Sequence, residues 1–179
     1  MSLGKVEQLE WDIARLTQDT PIHSFDCGKD DLNKFLKNDA KKYLNDLFAV
    51  TYVLQTNTET IAYFSLSNDR IARIDVSKTE WNRLSRSVAN NKRKKSHPAV
   101  KIGRLAVNKK SAQVGFGRII VFYVKKLYAE TLQTAGCRFI TVDAYAEVTD
   151  FYEKNGFKFM TETDKDEETR AMYFDLKTI

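Results

Sequence analysis

The stretch VNKKSAQVGFGRIIVFYVKKL, residues 107–127, sets Gly115 and Gly117 one residue apart, after an apolar strand-like run and at the mouth of an amphipathic segment. The chain holds only 7 glycines in 179 residues. Glycine in a helix interior costs about 1 kcal/mol relative to alanine, so two of them where a helix begins need a reason. At a helix start the first amides have no partner within the helix, and the dipole concentrates partial positive charge there. Glycines in the preceding turn let a phosphate come close to the main chain. SAQVGFGR therefore has the physics of a pyrophosphate cradle, with Arg118 as an added cation just inside the helix. The same Gly-x-Gly pattern serves equally as a plain tight turn.

Two familiar phosphate loops do not fit. The dinucleotide fingerprint needs a third glycine three residues on, and Ile120 stands there. The Walker loop needs Gly-Lys followed by Ser or Thr, a sequence absent from the chain. Metal chemistry is poorly supplied. Cys27 and Cys137 are too few for a zinc site or a disulfide framework, and His23 and His97 are the only histidines. No metal is expected.

The elements that must position this turn follow from periodicity. VEQLEWDIARL reads as an opening strand. GKDDLNKFLKNDAKKYLNDL carries Leu32, Phe35, Leu36, Ala40, Tyr43, Leu44 and Leu47 on one helical face, with Asp30 and Asp31 at its positively polarised entrance. YVLQTNTETIAYFSLSN is a hairpin around Asn57-Thr58. VSKTEWNRLSRSVANN is a short helix, followed by a basic loop and His97-Pro98. AVKIGRLAVN is a buried strand that leads into the glycine turn, and a helix runs from Phe116 to Gln133 with Gly136 as its stop. RFITVDA is a strand, EVTDFYEKN a short helix closed by Asn155-Gly156, and FKFM and AMYFDL are the last strands. The order β, α, β-hairpin, α, β, α, β, α, β, β requires a parallel pair through a right-handed crossover in its second half. The hairpin adds antiparallel strands, so the sheet is mixed.

Bulk properties agree with a single folded domain over 1–179. Hydrophobic residues make up 42% of the chain and aromatics 12%, enough for a packed core. No apolar run reaches transmembrane length, and the opening MSLGKVEQLEWD lacks the apolar centre of a secretory signal. A cytoplasmic protein with no membrane partner is expected. The net charge of +5 is unevenly spread: Arg83, Arg86, Lys92, Arg93, Lys94, Lys95, Lys101 and Arg104 occur with no acid between them. Such a stretch attracts phosphates, or is a solvated loop that keeps the chain soluble.

GRLAVNKKSAQVGFGRIIVFYV followed by VDAYAEVTDFYEKNGFKFM resembles the two signature motifs of the GNAT acetyltransferases, which transfer acetyl from acetyl-CoA to an amine. Gly115 and Gly117 fall on that family's turn glycines, and Phe151 to Phe157 match its Phe-Tyr-Glu-Lys-x-Gly-Phe motif. The two motifs cover about a third of the chain, at the family's customary separation. HSFDCGKDDLNKFLKNDA, AYFSLSND and GRLAVN further resemble a branch that includes the acetyltransferase toxins of bacterial toxin–antitoxin pairs, which acetylate the amino group of aminoacyl-tRNA. The resemblance implies an α/β (α+β) acyl-CoA N-acyltransferase fold: a mixed, mostly antiparallel sheet flanked by helices, with a splayed parallel strand pair at the coenzyme site.

It also implies roles. Leu105, Ala106 and Val107 would run beside the thioester and pantetheine, with the backbone of Leu105 and Val107 facing them. Main-chain N–H groups of the turn Ala112, Gln113, Val114, Gly115, Phe116, Gly117 and Arg118 would hold the pyrophosphate. The chain departs from the family at three positions: Ala112 replaces a Gln or Arg, Gln113 stands where glycine is common, and Tyr145 replaces a frequent Asn. Because the cradle uses main-chain donors, Ala112 weakens it modestly. Tyr152 would be the general acid that protonates the departing CoA thiolate, a group of pKa about 8.5 as its conjugate acid. No general base stands out; Asp143 and Glu147 are nearby carboxylates. The acceptor is a primary amine, either on charged tRNA or on a small molecule or peptide. A small antitoxin and a second copy of the chain in a homodimer are the further partners implied. The competing reading is a catalytically weak GNAT-like domain that binds nucleic acid through the basic Arg83–Lys101 stretch.

Overall fold

Residues 11–86, 88–89, 95–131 and 135–179 are described by the computed structural model. Strands and helices alternate in the expected order: β1 (Asp12–Arg15), α1 (Asp30–Lys34), α2 (Ala40–Asn45), β2 (Val50–Gln55), β3 (Thr60–Ala72), α3 (Lys78–Ser85), β4 (Ser96–Val107), α4 (Phe116–Lys126), β5 (Phe139–Tyr145), α5 (Thr149–Lys154), β6 (Lys158–Phe159) and β7 (Thr169–Asp175). They divide into two compact units. The first comprises the described residues up to Ser67 together with Gly103–Phe122; the second comprises Asn68–Ile102 and Tyr123–Ile179.

In the first unit β1 and β2 pair antiparallel, with Ala14 opposite Val53, and β2 pairs antiparallel with the start of β3, Tyr52 opposite Phe64. The hairpin turns at 56–59, where the Thr56 hydroxyl accepts from the amides of Thr58 and Glu59. The end of β4 lies beside β3: the Asn108 amide donates to Ile61 O at 2.8 Å. The core of this unit joins Leu16, Val53, Tyr63 and Ala106 of the sheet to Phe35, Leu36 and Ala40 of the helical segment.

That segment differs from the expected uninterrupted helix. Between α1 and α2 lies a π turn, Phe35–Asp39, in which the Ala40 amide reaches back to Phe35 O. The extra residue in the turn lets both Phe35 and Leu36 face the core. The expected apolar face also loses its last member. Leu47 is 91% exposed because α2 ends first, in a Schellman cap: the Phe48 amide donates to Tyr43 O at 2.9 Å and the Leu47 amide to Leu44 O at 3.3 Å. Leu47 takes the left-handed position, φ +59°, where glycine is the usual residue. The Tyr43 and Phe48 rings, 5.8 Å apart, make the apolar contact that accompanies this cap.

In the second unit β4 and β5 form the parallel pair, Ala99 opposite Phe139 through Ile102 opposite Val142. β5 pairs antiparallel with β7, and β7 with β6. α3 opens with a capping pair legible in the sequence, the Ser77 hydroxyl accepting from the Glu80 amide. β4 begins at Ser96, earlier than expected, so His97 is a buried strand residue stacked on Trp81 at 4.6 Å. The core here gathers Ile71, Trp81, Leu84, Phe139 and Tyr173. Of the expected basic loop, Lys92, Arg93 and Lys94 lie outside the described residues, as does the helix end at Gln133. Among the described residues no helix is long and apolar enough to cross a membrane.

Candidate coenzyme turn and candidate general acid

The turn is built on the last residues of β4. Ala106 points into the core while its neighbours Leu105 and Val107 are half-buried, the alternation a strand imposes. The parallel ladder to β5 covers Ala99–Ile102 and stops there, while β4 continues to Val107. Asn108 then pins the chain. Its side-chain amide donates to Thr60 O at 3.2 Å, and its carbonyl oxygen accepts from the Lys110 amide, starting a 3-10 turn over Lys109–Ser111.

Beyond it the backbone twice adopts the left-handed region, at Gln113 (φ +67°) and Gly115 (φ +103°). The second value is one that side chains rarely tolerate, so Gly115 is demanded by conformation. A Cβ added there would meet no atom within 4 Å, so the space over this glycine is open. Phe116 is fully buried, with Trp11 edge-on at 6.0 Å, and anchors the first turn of α4. The first helical bond runs from the Ile119 amide to Gly115 O at 3.1 Å. The amides of Phe116, Gly117 and Arg118 precede it and have no acceptor one turn back. Ala112, Gln113 and Arg118 are exposed, and Val114 is half-buried. Within the turn the Ala112 amide donates to Lys109 O at 3.2 Å and the Val114 amide to Ser111 O at 3.5 Å, so the first unit offers the opening amides of α4, with the positive helix end and one guanidinium beside them. A diphosphate fits that chemistry.

One contact escaped the sequence reading. The loop before α1 is clamped to the turn: the Lys109 amide donates to Asp26 O at 2.8 Å and its ammonium to Asp26 Oδ2 at 2.9 Å. Asp26 also accepts from the Gly28 amide and from Asn33 Nδ2. The Lys109 bond leads these contacts in holding the Asp26 carboxyl at about 2. Gly28 lies at φ +88°, and an added Cβ would sit 2.9 Å from Lys109 Cε. The Asp-x-Gly turn was visible in the sequence; its partner 83 residues away was not.

In the second unit Tyr152 is buried on α5. The Phe-Tyr-Glu-Lys-x-Gly-Phe spacing has a local cause, since it is another Schellman cap. The Phe157 amide donates to Tyr152 O at 3.0 Å and the Gly156 amide to Glu153 O at 2.8 Å. Gly156 is left-handed at φ +82°, and the Tyr152 and Phe157 rings meet edge-on at 5.3 Å. Lys125 of α4 braces the cap, its ammonium donating to Asn155 O at 2.5 Å and sitting 3.7 Å from the Phe174 ring centre. Desolvation pushes the Tyr152 phenol well above its ordinary value, so it stays protonated. Among the described residues its hydroxyl has no hydrogen-bond partner.

The remaining candidates have other engagements. Asp143 is paired with the Lys101 ammonium, and Glu147 sits in the short 3-10 turn before α5. Tyr145 ends β5 opposite Thr169. Of the basic stretch, Arg83 binds Glu80 and the Tyr173 hydroxyl, and Arg104 lies 3.9 Å from the Phe35 ring centre. Among the described residues no cluster of three or more His, Cys, Asp or Glu could hold a metal.

No protein-family model matches the chain. Solved structures do. A tyrosine-to-phenylalanine mutant of the toxin AtaT, bound to the C-terminus of the antitoxin AtaR and acetyl-CoA, is 22% identical, with a TM-score of 0.73 over 94% of each chain. A tyrosine-to-phenylalanine mutant of KacT is 23% identical, with a TM-score of 0.77 over 94% of this chain and 96% of that one. AtaT complexed with acetyl-methionyl-tRNAfMet is 22% identical, with a TM-score of 0.78 over 94% and 96%. The chain therefore shares the fold of AtaT and KacT.

Proposed function

We propose that the protein is an acetyl-CoA-dependent N-acetyltransferase whose acceptor is the α-amino group of an aminoacyl-tRNA. The observation that carries this reading is the open, left-handed Gly115 ahead of the unpaired amides of α4. Amides between Gln113 and Arg118, other than that of Val114, which donates to Ser111 O, receive the pyrophosphate of acetyl-CoA, and the backbone of Leu105 and Val107 runs beside its pantetheine arm. The acceptor nitrogen attacks the thioester carbon; a C–N bond forms and the C–S bond breaks. Tyr152 gives its proton to the departing sulfur, and the proton lost by the amine restores the phenol by way of solvent. A buried phenol that stays neutral is in the form that can donate.

Two observations favour the α-amino acceptor. Asp143 is tied to Lys101, which leaves it poorly placed as a base. An α-amino group, with a pKa near 8 against about 10.4 for lysine, needs little help to lose its proton. AtaT is known in complex with acetyl-methionyl-tRNAfMet and with acetyl-CoA, chemistry of the kind proposed. By the same likeness a small antitoxin is the expected protein partner, as AtaR is for AtaT. The reaction belongs in the cytoplasm, where charged tRNA is found.

The test has two steps. Calorimetric titration with acetyl-CoA reads the coenzyme step, and absence of binding at about millimolar coenzyme, the upper range for such substrates, sinks the proposal. Transfer of radiolabelled acetyl into charged tRNA, and not into free amino acids or peptides, reads the acceptor.

A further inference from the structure

We infer that the first unit holds a second anion site, a pocket for one nucleotide of a single-stranded RNA end, formed by α1, the π turn, α2 and the loop before them. This deepens the RNA-acceptor reading above and rests on it. The pocket measures about 690 Å³ and is lined by Lys34, Lys37 and Lys41 together with His23 and the half-buried Phe25. Among the described residues Asp30 is the sole acid in its lining, against three lysines.

The lysines are spaced three and four residues apart, which keeps them on one side of the helical segment. All three line the one pocket although a π turn, Phe35–Asp39, intervenes; such turns gather at functional sites. Two of the lysines are held in place. Lys41 donates to Gln18 O at 2.7 Å and Lys34 pairs with Asp30 at 2.7 Å. Lys37 is exposed, and among the described residues it has no acidic partner.

The two walls are fastened to each other and to the coenzyme turn. Asn33 on α1 donates to Asp26 and accepts from the Cys27 amide at 2.9 Å; Asp26 in turn holds Lys109. A ligand in this pocket would therefore sit on a frame shared with the strand end assigned to the thioester arm. Ammonium groups beside an aromatic ring match a nucleotide, with the phosphate among the ammonium groups and the base against Phe25.

The experiment measures binding of a short, fluorescently labelled single-stranded RNA ending in CCA, without acetyl-CoA, across a salt series. Lys37→Glu is expected to weaken binding about tenfold, and Lys37→Ala to lower the log–log salt slope by about 0.7, the value for one phosphate contact on a single strand. Acetyl-CoA binding by both variants should be unchanged. Lys165→Glu, an equal charge change at an exposed position elsewhere, should leave RNA binding as it is. Equal RNA binding by wild type and Lys37→Glu overturns the inference, as does no binding by wild type or an equal loss in Lys165→Glu. Failure of acetyl transfer with this RNA pattern intact would instead refute the enzymatic proposal alone.

Discussion

Replacing Gly115 with alanine separates a strained turn from an ordinary one. The added methyl would meet no protein atom within 4 Å, so steric clash contributes nothing and the cost lies in the backbone. At φ +103° a side chain costs about 1–3 kcal/mol. Alanine returns about 0.4–1 kcal/mol by restricting the unfolded chain, which at the middle of both ranges leaves a net loss of about 1.3 kcal/mol. For a chain of this length each kcal/mol moves the melting temperature by about 2–4 °C, so the variant should melt about 3–5 °C lower. If the turn relaxes to relieve the strain, the amides of Phe116, Gly117 and Arg118 rotate away from their common target. Acetyl-CoA should then bind at least tenfold more weakly, and ligand-induced stabilisation at a fixed high concentration should shrink by about 1.4 kcal/mol. Melts recorded by circular dichroism with and without acetyl-CoA read both quantities. An unchanged melting temperature in the free variant refutes the strain argument; an unchanged ligand-induced shift refutes the cradle.

Gly156→Ala should lose more stability than Gly115→Ala, because its methyl also lies 3.1 Å from Phe174 Cε2; the order of the two melts checks this. Tyr152→Phe keeps the ring against Phe157, so acetyl transfer should fall about 10²–10⁴-fold with the melt and acetyl-CoA affinity unaltered. Because the Tyr152 pKa is raised above its ordinary value of 10.0, the phenol stays protonated at high pH. A profile of kcat/KM should accordingly rise as the acceptor amine deprotonates and show no fall by about pH 10. Leu47→Gly relieves the left-handed leucine and should stabilise by about 0.5–1 kcal/mol, read in a urea melt. Among the described residues the buried Thr51 hydroxyl has no hydrogen-bond partner, and Thr51→Val should stabilise by about 1 kcal/mol. The Asp26 pKa is lowered from 3.8 to about 2, so its contribution is complete above the unfolded value and is lost as pH falls through the folded one. The stability gap between wild type and Asp26→Asn should therefore narrow between about pH 5 and pH 2.

Where a structural device lies within one contiguous stretch, it could be read directly. Ser77 with Glu80 announces the start of α3, and Tyr152, Gly156 and Phe157 stand at the spacing of a Schellman cap. Gly115 and Gly117 mark the turn, and the apolar run of AVKIGRLAVN marks the strand before it. These are consequences of helical and strand periods, which the order of residues alone imposes. Other features depend on residues far apart in the chain. That the β4–β5 ladder ends at Ile102 is decided by the paths of two strands. Asp26 meets Lys109 across 83 residues, and Lys101 meets Asp143 across 42; neither pair leaves a periodic mark. Leu47 fits the apolar face by spacing yet lies in solvent, because the cap closes before the helix can carry it inward. The amino-acid order determined which elements form and where they begin and stop. The packing of remote segments decided which strand edge opens and which charges are already engaged, because those outcomes are free energies of meeting in space and have no local signature.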